Sequence, residues 1–124
     1  MKIFILLSVA ATLLLSSTEC STKKTSSEKY KGKFEIAGIC SNYTIGVVEG
    51  NIDTALVVNK WTDENTGKSY SKVFKLGNPC VFPKTIKEGD EFYFVIDTTT
   101  EVPCTVCMAY YPTPSKKLSI KIVE

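Results

Sequence analysis

The chain has 124 residues, enough for one domain, with 44% apolar residues and a formal net charge of +2. All 15 basic residues are lysine and there is no histidine. The small charge and the missing arginine fork speak against nucleic acid as a partner. The missing histidine removes the commonest general base and metal ligand, and no Ser–His triad can be assembled.

Met1-Lys2 and the 13-residue apolar run Ile3 to Leu15 read as the start of a signal peptide covering residues 1–19. Thirteen residues are too few to span a bilayer as a helix. Cys20 follows the run where a bacterial lipoprotein carries its lipid, and the segment resembles a lipobox. Ser17 and Glu19 stand where that pattern has Leu and a small residue. The alternative is ordinary cleavage near Ser17 or Thr18, which leaves Cys20 as a free or intermolecular thiol. The count of five cysteines, odd for an exported chain, favours the lipid: without Cys20 four remain and can pair completely. Residues 20–32 are polar and unpatterned and read as a flexible tether; their lysines attract an anionic membrane surface or merely solvate the spacer.

A single β domain is expected over 33–124. Phe34 and Ile36 alternate with Lys33 and Glu35, and the pattern continues through Tyr43 to Val48, with Gly38 as a bend in one long first strand. A turn at 49–53 leads to a second strand, Thr54 to Trp61, and the polar loop 63–68 has hairpin character. Ser69 to Leu76 is the third strand. Residues 77–89 form a connection with one helical turn. The fourth strand is 91–97, where Phe92, Phe94 and Ile96 share one face. A fifth covers roughly 105–111, and the last alternates Leu118, Ile120 and Ile122 with lysine and serine. Short strands separated by turns predict an all-β fold of five to seven strands, a small Greek-key barrel or sandwich. The layout resembles a small OB-like barrel over residues 33–124.

Cys104-x-x-Cys107 can be tested against geometry. On an extended chain the two Cα atoms lie roughly 10 Å apart at about 3.3 Å per residue. A disulfide needs less than about 7 Å. Each must then find its partner elsewhere, so Cys40 and Cys80 each bridge to one of Cys104 and Cys107, in undetermined order. On the same strand Cys107, Ala109 and Tyr111 line one face, and Val106, Met108 and Tyr110 the other. As thiolates the four could ligate zinc, but a structural zinc site shows two close pairs and this chain has one. A redox dithiol at Cys104 and Cys107 lacks the helix N-terminus that would activate it.

Paired carboxylates among Glu88, Asp90, Glu91, Asp97 and Glu101 are the numbers expected of a solvated surface. Asn42-Tyr-Thr44 matches a glycosylation acceptor. The aromatics Trp61, Tyr70, Tyr93, Tyr110 and Tyr111 are the candidate binding residues, with Tyr43 and the loops 62–68 and 98–103 beside them. The whole chain also resembles the small exported lipoproteins of Bacteroidota, which implies a cell-envelope location, periplasmic or at the cell surface, with secretion as the alternative. The expectation is a monomeric, non-catalytic binding module, without cofactor or metal, membrane-anchored through Cys20, whose partner is an envelope protein or glycan. The alternative is thiol-redox or metal handling by Cys104 and Cys107.

Overall fold

The computed structural model describes residues 28–99 and 103–124. The expected signal peptide, Cys20 and most of the expected tether therefore lie outside the described residues, as does part of the loop 98–103. Seven strands form one sheet: β1 (Tyr30–Gly38), β2 (Asn42–Glu49), β3 (Val58–Thr62), β4 (Ser69–Leu76), β5 (Glu91–Ile96), β6 (Lys117–Leu118) and β7 (Ile120–Val123). Three short 3₁₀ turns, at 39–41, 54–56 and 79–81, link them, and there is no α-helix among the described residues.

The strand order is β3-β4-β2-β1-β5-β7. All neighbours on this path are antiparallel. β6 adds a parallel contact to β4 through Lys75↔Lys117 and Leu76↔Leu118. One residue later the same stretch becomes β7 and pairs with β5. The sheet thus curls back towards β4, yet this seam is two residue pairs long. The expected all-β fold is present, as a curved open sheet or sandwich rather than a closed barrel.

The concave side holds the core. Phe34, Ile45, Phe74, Leu76, Phe92, Phe94, Leu118 and Ile120 are all buried in one cluster. Strict alternation drives this: in β5, Phe92 and Phe94 turn inward while Glu91 and Tyr93 stay exposed. Phe82, from the connection 77–90, stacks edge-on against Phe34 at 5.3 Å and Phe92 at 5.5 Å between ring centroids. Such pairs add about 0.5–1.5 kcal/mol each beyond their buried area.

Four expectations need correction. The long first strand is two strands: the chain reverses at Ile39-Cys40-Ser41, where Cys40 (φ 56°) and Ser41 (φ 59°) take left-handed backbone, and β2 pairs back on β1. The second strand starts late, because Asp53 Oδ1 accepts from Ala55 N at 2.9 Å and winds 54–56 into a turn. Residues 105–111 form no strand: no neighbouring strand offers them a ladder, and 105–110 are all exposed instead of alternating. Finally, β1 begins at Tyr30, so residues 30–32, expected in the tether, belong to the sheet.

Candidate functional site

The segment Pro103–Tyr111 crosses the sheet as a strap. Two disulfides fix it. Cys107 bridges to Cys40 in the β1–β2 turn (Cα–Cα 4.9 Å), and Cys104 to Cys80 in the 3₁₀ turn after β4 (Cα–Cα 5.7 Å). Cys40 and Cys80 each take one of Cys104 and Cys107, as the spacing argument requires. The chain-entropy model makes the 67-residue bridge worth about 4 kcal/mol and the 24-residue one about 3.5. Neither CxxC cysteine is bonded to the other. Two disulfides also mark an oxidising, non-cytoplasmic compartment.

Polar contacts complete the anchoring. Asn42 Nδ2 donates to the carbonyl of Ala109 at 3.0 Å and to that of Ile39 at 2.8 Å. The Tyr111 hydroxyl donates to Asp63 Oδ2 at 3.1 Å. Its ring lies against the backbone of Gly38, where a Cβ would stand 2.9 Å from the ring. Only glycine leaves room for Tyr111 there.

Asp63 is the hub of the β3–β4 hairpin. It is 1% exposed. Its Oδ1 accepts from Asn65 N at 2.9 Å, and its Oδ2 accepts from the Thr66 hydroxyl at 3.2 Å besides Tyr111. An Asp opening a turn folds its side chain back on the backbone two residues on. Here the remaining acceptor capacity is spent on the strap. Loss of solvation, then the hydrogen bond to Asp63, raises the Tyr111 hydroxyl above its ordinary range. Burial raises Tyr70 likewise, helped by the negative charges of Glu35 and Asp63.

The five candidate aromatics do not make one face. Trp61 and Tyr70 are a cross-strand pair on the hairpin, with ring centroids 5.9 Å apart, both half-buried. Lys68 Nζ sits 5.1 Å from the Tyr70 ring. Tyr111 joins this hairpin through Asp63. Tyr93 is on β5, beyond β2 and β1 in the sheet order. There Lys29 and Lys31 place their ammonium groups 4.7 and 5.7 Å from its ring, and Lys31 pairs with Glu91 at 3.2 Å. Tyr110 points outward from the strap and is 77% exposed.

Tyr110 is not alone. Met108 is 96% exposed and Val106 40%. These three form the outer row of the strap, while Cys107 and Tyr111 between and beyond them are tied down. Val106 and Met108 were not among the candidate binding residues; Asp63 lay within the candidate loop 62–68 but was not singled out. Asp63 could have been found as the first residue of Asp-Glu-Asn-Thr-Gly, a turn signal followed by glycine at φ +73°. The acceptor pattern at 42–44 is closed in the fold: Asn42 Nδ2 is engaged twice and Thr44 is fully buried. Among the described residues no cluster of three or more metal-ligating side chains occurs. Comparison with protein-family models, with curated proteins and with solved structures finds no match for this chain.

Proposed function

We propose that this is an exported protein of the cell envelope, lipid-anchored at Cys20, which binds an envelope protein or glycan without catalysing a reaction. The observation that carries the reading is the outer row Val106, Met108 and Tyr110, left in solvent on a backbone fixed by two disulfides. A large apolar side chain held in water on a tied-down backbone is placed for contact, and little further backbone entropy is lost on docking. Tyrosine supplies area and a hydroxyl, and methionine adapts to an irregular partner.

The lipid anchor is tested by the intact mass of protein taken from its native membrane fraction. A lipid-sized increase on a chain beginning at Cys20 supports it, and a lipid-free chain refutes it. The contact surface is tested by photo-crosslinking in native envelopes from position 108 or 110, with the exposed Lys60 as the control position. A discrete adduct from 108 and 110 that is absent from 60 supports the row. Equal crosslinking from all three, or none, refutes it.

A further inference from the structure

We infer that the cleft at the root of the strap is a binding site for an oxyanion, a carboxylate, phosphate or sulfate carried by a small molecule or a glycan. The site rests on different residues from the outer row, apart from Val106, and does not depend on it.

The cleft has a volume of about 440 Å³ and its lining includes Ser41, Lys75, Leu76, Pro79, Pro103 and Lys117. That size is within the range of small-ligand pockets, roughly 300–1,000 Å³. Lys75 and Lys117 are directly opposite each other on the parallel seam between β4 and β6. The next pair, Leu76 and Leu118, is buried in the core. Because side chains alternate, both lysines project to the other side, from strands spaced about 4.8 Å apart. Like charges placed opposite on neighbouring strands destabilise a sheet. Here nothing offsets them: among the described residues no acidic side chain lines the cleft, and neither lysine is in an ion pair.

The seam itself is tight, since Lys75 N donates to the carbonyl of Lys116 at 2.7 Å and Gly77 N to that of Leu118 at 2.8 Å. The strands therefore root the two lysine side chains next to each other. Cys40 and Ser41 also line the cleft, and both adopt left-handed backbone, which residues other than glycine rarely do. Strained backbone of this kind gathers at ligand sites. An oxyanion between the two ammonium groups removes their repulsion and gains charge-assisted hydrogen bonds. Leu76, Pro79 and Pro103 then offer apolar contact to the body that carries it.

The test is an amide-resolved NMR titration of the disulfide-intact protein with inorganic phosphate, with sodium glucuronate, and with sodium chloride at matched ionic strength. Saturable shifts at Ser41, Lys75, Gly77 and Lys117 with phosphate or glucuronate, and none with chloride, are expected. The tighter of the two probes identifies the source as a phosphate or a carboxylated sugar. Lys75→Gln and Lys117→Gln should each weaken that binding by about fivefold or more, the loss of one charge-assisted contact, while Lys121→Gln leaves it unchanged. At low ionic strength, without the anion, Lys117→Gln should melt no lower than the parent, because the repulsion is relieved. Shifts that fail to saturate, affinity equal to the parent's in either variant, or a lower melting temperature of Lys117→Gln would each overturn the assignment.

Discussion

The bond between Tyr111 and Asp63 ties the strap to the hairpin, and its energy can be measured. Tyr111→Phe removes one hydroxyl at 3.1 Å from a carboxylate that is 1% exposed. Hydrogen bonds to charged groups contribute about 1.5–3 kcal/mol. Tyr111 is half-buried, so water partly replaces the lost donor, and the lower end, about 1.5 kcal/mol, applies. Asp63→Ala removes three side-chain acceptor contacts. Two of their donors, in the loop 64–68, can turn to water, so the loss is about 3 kcal/mol rather than three full bonds. The double variant should then be less destabilised than the sum by about 1–1.5 kcal/mol, the coupling of groups in contact. In a domain of this size each kcal/mol moves the melting temperature by roughly 4–8 °C. Urea unfolding of the parent, both single variants and the double variant gives all four corners. Strict additivity, with both single variants destabilised, would refute the reasoning: the two groups would then sit at bonding distance without sharing energy.

Three further outcomes follow from the same geometry. Replacing Cys40 and Cys107 by alanine should cost about 4 kcal/mol and replacing Cys80 and Cys104 about 3.5, read from urea midpoints; a larger loss from the shorter bridge would contradict loop closure as the cause. Thr44 Oγ1 is fully buried and has no hydrogen-bond partner among the described residues, so Thr44→Val should leave stability unchanged or raise it by up to about 1 kcal/mol, and a loss of more than about 1 kcal/mol would mean the hydroxyl is satisfied. Burial is the first cause raising Tyr30, Tyr70 and Tyr111. The folded state therefore keeps their protons where the unfolded chain releases them. Stability is whole below the ordinary tyrosine value near 10 and falls as pH rises through the raised values. Thermal melts from pH 8 to 11.5 should show this fall, shallower in Tyr111→Phe; a parallel fall in both proteins would exclude Tyr111 as a contributor.

The strands with a clean two-residue period were legible before the fold. Phe92 and Phe94 in β5, and Leu118 and Ile120 near the C-terminus, went to the core as their alternation required. That Cys104 and Cys107 bridge to Cys40 and Cys80 and not to each other was legible too, because three residues of extended chain hold two Cα atoms too far apart; which pairs with which was not. The β1–β2 reversal was not. Turns with positive φ usually announce themselves by glycine or asparagine, and here Cys40 and Ser41 take that backbone, with Cys40 bonded to a residue 67 positions away. The strap misled in a different way. Its residues alternate in type, yet 105–110 are all exposed, because a β pattern says nothing about whether a neighbouring strand supplies hydrogen bonds. The candidate aromatics scattered for a similar reason: composition names residues suited to contact, while the sheet order decides which of them meet.

The placement of Cys104 and Cys107 three residues apart also defines the mispairing that the protein must avoid as it matures. Four thiols allow three pairings. The pairing Cys40–Cys104 with Cys80–Cys107 differs from the native one only by sliding the strap along its own length, so it is the near miss that oxidation must avoid. Closing 24 residues costs less chain entropy than closing 67, so a bridge from Cys80 to the strap closes more cheaply than one from Cys40. Loop length does not choose between Cys104 and Cys107, which lie only three residues apart. The strap's register is set instead by contacts that a slide would break, the bond from Asn42 to the carbonyl of Ala109 and that from Tyr111 to Asp63.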